Sequence, residues 1–189
     1  TLRDNRMTAK QQWIVVAVIV ALMGGGLAAG SYFLRDELQP LSIGSKAPQF
    51  SALTMDAVQK TKTLDDYKGQ VVLLNVWRTD CGPCRTEMPS IEALHHVMTP
   101  KGLHIVAVSV DLAGKTQLVR DFVKEFNLSF EILNDTSGTI EQKYQTTGVP
   151  ESFVIGRDGT IHKKWIGEDN WNSVGNRKLI EQLLAEPAR

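Results

Sequence analysis

Two patterns of apolar and polar residues divide this chain. From Lys10 to Arg35 no charged residue interrupts an apolar stretch, whereas beyond Ala47 short apolar runs alternate with segments of helical periodicity. The 24 positions from Gln11 to Leu34 would reach about 36 Å as a helix at ~1.5 Å per residue, enough to cross a hydrocarbon core of ~30 Å. Trp13 and Tyr32 sit near its ends, as aromatic residues do at membrane interfaces. The stretch is read as a membrane helix. A cleaved signal peptide competes, with Trp13 to Met23 as its apolar core and Gly24 to Gly30 (GGGLAAG) as a small-residue cleavage region. Continuation through Tyr32-Phe33-Leu34 favours a retained anchor. Arg3, Arg6 and Lys10 before the stretch, against Arg35 and Lys46 after it, favour a cytoplasmic N-terminus. The expected organisation is a short cytoplasmic tail (1–10), a transmembrane signal anchor (11–34), a linker (35–46, RDELQPLSIGSK) and an exported domain (47–189).

Within that domain the periodicities predict an α/β fold. Gln49 to Thr54 and Lys60 to Thr63 read as short strands, and Leu64 to Tyr67 as a helical turn. Val71 to Trp77 (VVLLNVW) reads as a buried strand leading into a helix, Pro83 to Met98. A strand follows at Leu103 to Val110, a helix near Lys115 to Phe126, a strand at Phe130 to Leu133 and a helical turn at Thr139 to Tyr144. Ser152 to Ile155 and Thr160 to Ile166 form a hairpin turned by Arg157-Asp158-Gly159, and Ser173 to Ala185 a last helix. Strands without alternation, such as VVLLNV and IVAVSV, imply helices on both sheet faces.

Formal net charge is zero, and no basic stripe points to nucleic acid. Chemistry enters with Cys81-Gly82-Pro83-Cys84, which holds both cysteines of the chain at redox spacing where a strand meets a helix. Pro83 at the helix start needs no N–H partner, so the helix begins between the sulfurs. Unpaired N–H groups and the helix dipole there favour an anion, lowering the thiol pKa of the leading Cys81 from a free value near ~8.5. A CxxC pair is also half of a zinc site, but no third cysteine exists and only His95, His96, His104 or His162 remain as ligands. A purely structural bridge closing so small a loop removes little unfolded-state entropy. Redox chemistry is the favoured reading.

Leu73-Leu74-Asn75-Val76-Trp77, the string Cys81-Gly82-Pro83-Cys84-Arg85-Thr86-Glu87-Met88-Pro89 and the later Gly148-Val149-Pro150-Glu151-Ser152-Phe153 together resemble the membrane-anchored periplasmic thioredoxins of the TlpA/ResA/CcmG type. The similarity runs from about Ile43 to the C-terminus. It implies a thioredoxin fold, with a central mixed β-sheet, helices on both faces and an extra N-terminal β-hairpin, preceded by one transmembrane helix. It also implies that Cys81 is the exposed attacking thiol, Cys84 the buried resolving thiol and Pro150 the cis-proline facing the disulfide. Glu87 matches the acid that this family places just after the motif. One turn beyond Cys84, it is a candidate to exchange protons with that thiol; a solvated first-turn acid is the plainer alternative. Asn75 stands where cytosolic thioredoxins carry a buried aspartate. It cannot titrate and is read as satisfying backbone groups.

The implied activity is thiol–disulfide exchange at the periplasmic face of a bacterial inner membrane, with this chain as a single-pass reductase of client disulfides. The resemblance offers apocytochrome c or the copper-site cysteines of an oxidase as clients and a membrane thiol donor as source of electrons. No nicotinamide or flavin fingerprint is present, so no cofactor is expected. A thiol-based copper chaperone and a peroxiredoxin-like peroxidase stay as alternatives, although Arg78 stands three residues before Cys81 where a peroxidatic cysteine needs threonine. Asp80 departs from the tryptophan of most relatives. Its carboxylate opposes thiolate at Cys81 or selects a basic partner; alternatively it is a solvent-facing N-cap. Trp77, Trp165 and Trp171 are read chiefly as core aromatics.

Overall fold

The computed structural model describes residues 9–38 and 40–187 and divides into two units, residues 1–40 and 41–189. Most of the expected cytoplasmic tail, with Arg3 and Arg6, lies outside the described residues. In the first unit, helix α1 (Ala9–Leu38) holds 24 residues, Ala9–Tyr32, long and apolar enough to cross a membrane, with none of the span buried by protein. Ser31 Oγ donates to Ala28 O at 2.9 Å, so its hydroxyl is satisfied within the helix. The helix runs on through Leu38, into the stretch read from sequence as linker.

The second unit is built on one seven-stranded sheet. Its elements are β1 (Ser51–Thr54), β2 (Thr61–Thr63), a 3₁₀ turn (Leu64–Tyr67), β3 (Val71–Trp77), α2 (Gly82–Met98), β4 (Leu103–Ser109), α3 (Thr116–Glu125), β5 (Glu131–Asn134), α4 (Thr139–Lys143), β6 (Glu151–Ile155), β7 (Ile161–Ile166) and α5 (Val174–Ala185). The strand order is β2-β1-β5-β4-β3-β6-β7. Strands β3, β4 and β5 run parallel, while β6, β7 and the β1–β2 hairpin pair antiparallel at the two sides. This is the expected mixed sheet with its extra N-terminal hairpin.

All seven residues of β3 are buried, because β4 and β6 cover both edges and helices or turns cover both faces. Side chains alternate between the faces. Val71, Leu73 and Trp77 join Met88, Ile91 and Leu94 of α2, Val119 and Phe122 of α3, and Ile180 and Leu183 of α5. Val72, Leu74 and Val76 meet Phe50, Leu64, Tyr67, Ile140 and Tyr144 on the other face. The crossovers β3-α2-β4 and β4-α3-β5 advance in the same direction across the sheet. With right-handed connections, both helices then fall on one face. That placement leaves α2 beginning at the C-terminal end of the central strand, the usual position for a site in an open α/β sheet.

Candidate active site at the start of helix α2

The loop after β3 is fixed before the first cysteine is reached. Asp111, buried just past the end of β4, accepts from Thr79 N at 3.0 Å, Thr79 Oγ1 at 2.7 Å and Ser109 Oγ at 2.9 Å. Sequence reading missed Asp111. Its signal was an acid closing an apolar parallel strand at the sheet's C-terminal end. Cys81 itself is the N-cap of α2: its Sγ accepts from Cys84 N at 3.1 Å. The expectation of Asp80 as the cap is corrected. Asp80 Oδ1 instead accepts from Arg78 Nε at 2.8 Å, and both side chains are exposed. Pro83 occupies the second position of the helix, not the first, and still needs no N–H partner there.

Cys81 and Cys84 are bonded to each other, with Cα atoms 5.3 Å apart. Cys81 keeps 7% of its surface exposed and Cys84 none. The Val149–Pro150 bond is cis, and Val149 O lies 3.4 Å from Cys81 Sγ. Glu151, the next residue, is fully buried on the far face of the sheet. It accepts from Thr147 N at 3.2 Å and pairs with Lys164 Nζ at 3.0 Å, so it holds the segment entering Pro150.

Glu87 is 1% exposed, which rules out a solvated first-turn acid. Its Oε1 accepts from Asn75 Nδ2 at 2.7 Å and its Oε2 from Trp171 Nε1 at 3.3 Å. Asn75 Nδ2 also donates to Ser152 Oγ at 2.8 Å. Asn75 therefore serves side chains, not the backbone groups expected from sequence; those groups are already used in the ladders to β4 and β6. No cation joins the cluster directly. Burial, reinforced by the Asp169 charge and opposed by three neutral donors, the Asn75 amide, the Trp171 indole N–H and the Asp169 backbone N–H, pushes the Glu87 carboxyl up to about 7. Cys84 and Glu87 lie three residues apart on the same buried side of α2, neighbours across one turn. Trp171 and Ser152 were not recognised as site residues. Trp171 comes from the β7–α5 loop, far along the chain, where no periodicity marks it. Among the described residues, no cluster of three or more His, Cys, Asp or Glu side chains is arranged to hold a metal ion.

Comparison with known proteins places this geometry. The family model described as AhpC/TSA matches residues 43–164. The chain belongs to the AhpC/TSA family. Among its relatives, the thiol-disulfide oxidoreductase ResA of Bacillus thuringiensis subsp. konkukian (strain 97-27) is 35% identical over 168 residues, covering 88% of this chain and 91% of the relative. The thioredoxin-like protein YneN of Bacillus subtilis is 33% identical, covering 92% of this chain and 97% of its own. In three dimensions the thiol:disulfide interchange protein DsbE from Chlorobium tepidum superposes with a TM-score of 0.68 at 29% identity, over 77% of this chain and 99% of that one. This AhpC/TSA-family member is a thiol–disulfide oxidoreductase of thioredoxin fold whose substrates are disulfide-bearing proteins. It carries an apolar N-terminal helix as a candidate membrane anchor. The threonine needed by a peroxidatic cysteine is replaced by Arg78, which is engaged with Asp80.

Proposed function

We propose that this oxidoreductase is a membrane-tethered reductase working on the extracytoplasmic side, with residues 11–34 in the bilayer, residues 35–46 as tether and residues 47–189 in the periplasm of a bacterium. The observation that carries the reading is the asymmetry of the two sulfurs at one helix N-terminus, Cys81 keeping 7% of its surface exposed and Cys84 fully sealed one helical turn from a buried carboxyl. In the reduced protein the Cys81 thiolate attacks one sulfur of a client disulfide. A Cys81–client bond forms, the client S–S bond breaks, and the departing client sulfur takes a proton. Cys84 then gives its proton to the Glu87 carboxylate and attacks Cys81 Sγ, releasing the second client thiol. Two electrons have passed from the dithiol to the client, and the Cys81–Cys84 bridge remains.

A carboxyl with its midpoint near 7 is half ionised at neutral pH, so it can both accept and return that proton. The family resemblance assigns Pro150 the task of presenting the preceding backbone to the client, and the 3.4 Å between Val149 O and Cys81 Sγ supports that reading. Apocytochrome c cysteines or the copper-site cysteines of an oxidase are the clients the resemblance offers, with a membrane thiol donor closing the cycle. Equilibration of the full chain with glutathione tests the direction. A reductant falls near the ~−270 mV of thioredoxin, and a potential above about −150 mV, toward the ~−120 mV of DsbA, overturns the reductase reading. A Cys84→Ser variant holds clients as mixed disulfides and identifies them.

A further inference from the structure

The loop between β7 and α5 (residues 167–173) is tied to the turn of α2 that carries Glu87. Trp171 N donates to Ser90 Oγ at 3.0 Å, and the same hydroxyl lies 2.8 Å from Glu87 O and 3.2 Å from Asp169 O. Below the loop, Lys163 Nζ of β7 pairs with Asp169 Oδ2 at 3.0 Å and reaches Asn176 Oδ1 at 2.6 Å. It also sits 4.8 Å from the centre of the Trp171 ring. Asn176 Nδ2 returns to Asp169 Oδ2 and Asn170 O, each at 3.0 Å. Trp171, with no exposed surface, is thus held from its backbone, beneath its ring and along its own loop. Its indole N–H, the ring's single donor, points at Glu87 Oε2. A buried indole N–H needs an acceptor, and here that acceptor is the Glu87 carboxyl.

We infer that Trp171 is a positioning residue for the proton-exchanging carboxyl: its indole N–H holds Glu87 Oε2 and favours the ionised form that receives the Cys84 proton. The inference rests on the role proposed above for Glu87. A donor to a carboxylate stabilises the charged form and not the neutral one, so its removal raises the midpoint. A cation over the ring draws electron density from it and strengthens the N–H as a donor. Around the carboxyl, β3 and β6 present only the uncharged Asn75 and Ser152. The loop presents Asp169, whose backbone N–H favours ionisation of Glu87 while its charge, paired with Lys163, opposes it. The helix itself presents Cys84, which titrates once the bridge opens.

The test uses the oxidised full chain in detergent micelles, labelled at tryptophan nitrogen, with the carboxyl stretching band followed by infrared difference spectroscopy. In wild type the Trp171 Nε1–H resonance and the Glu87 carboxyl band should titrate with one shared midpoint near 7. The resonance should become flat in Glu87→Gln. Trp171→Phe keeps the ring packing and removes the donor. It should raise the Glu87 midpoint by about one pH unit, a tenfold change in the ionised-to-neutral ratio. At neutral pH the ionised fraction then falls about fivefold, and release of client from the Cys81 mixed disulfide should slow by a similar factor, with its pH profile moved to the alkaline side. An unchanged infrared midpoint in Trp171→Phe, or a wild-type indole resonance that does not follow Glu87, overturns the inference. The wild-type titration decides it alone if the variant does not fold. A Glu87→Gln enzyme that keeps the wild-type pH dependence of client release overturns the proton-exchange role instead, while the spectroscopic coupling of indole and carboxyl would still stand.

Discussion

Two buried glutamates lie on opposite faces of the same pair of strands. Asn75 pairs with Ser152 and Val76 with Glu151 in the β3–β6 ladder, so adjacent residues of β6 point to opposite sides. On one side Glu151 meets Lys164 and the backbone N–H of Thr147. On the other, Ser152 and Asn75 form the wall against which Glu87 sits. The neighbouring lysines of β7 divide in the same way. Lys164 goes to Glu151, but Lys163 goes to Asp169 and leaves Glu87 with neutral donors only. Equal burial therefore yields different chemistry. A carboxylate given a cation and a backbone donor becomes an anchor for the cis-proline segment, whereas one given only neutral N–H donors cannot offset its burial, and its midpoint rises to about 7.

Removing the anchor should give the largest effect. Glu151→Ala strands Lys164 in a mostly buried position and frees Thr147 N, and breaking a buried pair costs about 3–5 kcal/mol. Lys164 keeps some exposure and can reach water, so the lower end of that range is expected in urea denaturation monitored by tryptophan fluorescence. A loss below about 1 kcal/mol would make Glu151 and its lysine an ordinary surface pair and remove the contrast.

Glu87→Gln should act in the opposite direction and only at higher pH. The folded-state midpoint near 7 lies above the ordinary 4.5, so the native state binds the proton more tightly than the unfolded chain. Native stability attributable to this group is then intact at pH below 4.5, falls as pH rises toward 7, and stays low above it. A midpoint moved from 4.5 to about 7 corresponds to a destabilisation of about 3 kcal/mol at pH 8. Glutamine carries no such cost, so the stability difference between variant and wild type should move by roughly that amount, in favour of the variant, from pH 4 to pH 8. Denaturation at both pH values checks it. A difference that does not change with pH would mean that Glu87 is charge-compensated like Glu151.

The contrast between these acids marks where sequence could be read and where it could not. Strand β3 and helix α2 were legible nearly to the residue, because a continuous apolar run bounded by Gln70 and Arg78 and a helix opened by Gly-Pro each have one physical solution. The cysteine pair was legible for the same local reason. Pro150 was not legible from its own neighbourhood, since X–Pro bonds are mostly trans; it required the family pattern. Trp171 lies 84 residues from Glu87 and contributes through one N–H, so its role exists only in tertiary contact. Asn75 was placed on the right strand and given the wrong partners. A period-2 pattern says which face a side chain takes but not which polar groups wait there. The split of Lys163 and Lys164 is also a matter of register, which a slip of one residue would have reversed.

Smaller changes should grade the polar wall. Ser152→Ala removes the oxygen that accepts from Asn75 Nδ2 and leaves Asn75 Nδ2 with Glu87 as its single acceptor. One neutral hydrogen bond contributes about 1 kcal/mol, and a loss of that size in denaturation at pH 8, larger than at pH 4, is expected. A loss equal at both pH values would separate Ser152 from the Glu87 proton.

The smallest effect belongs to the rim. Asp80 lies next to Cys81 in sequence and its charge opposes a thiolate there, which is why its replacement of tryptophan looked consequential. The structure weakens that argument in two ways. The carboxylate is engaged by Arg78, which offsets its field, and both groups are exposed, so water and salt screen what remains. Exposed pairs contribute about 0.2–1 kcal/mol, equivalent to less than one pH unit. In the reduced full chain, Asp80→Asn should lower the Cys81 midpoint measured by thiolate absorbance by about half a unit or less, and added salt should erase the difference. A drop larger than one unit that survives salt would show that the rim, and not the buried Glu87 pocket, governs the acidity of this site.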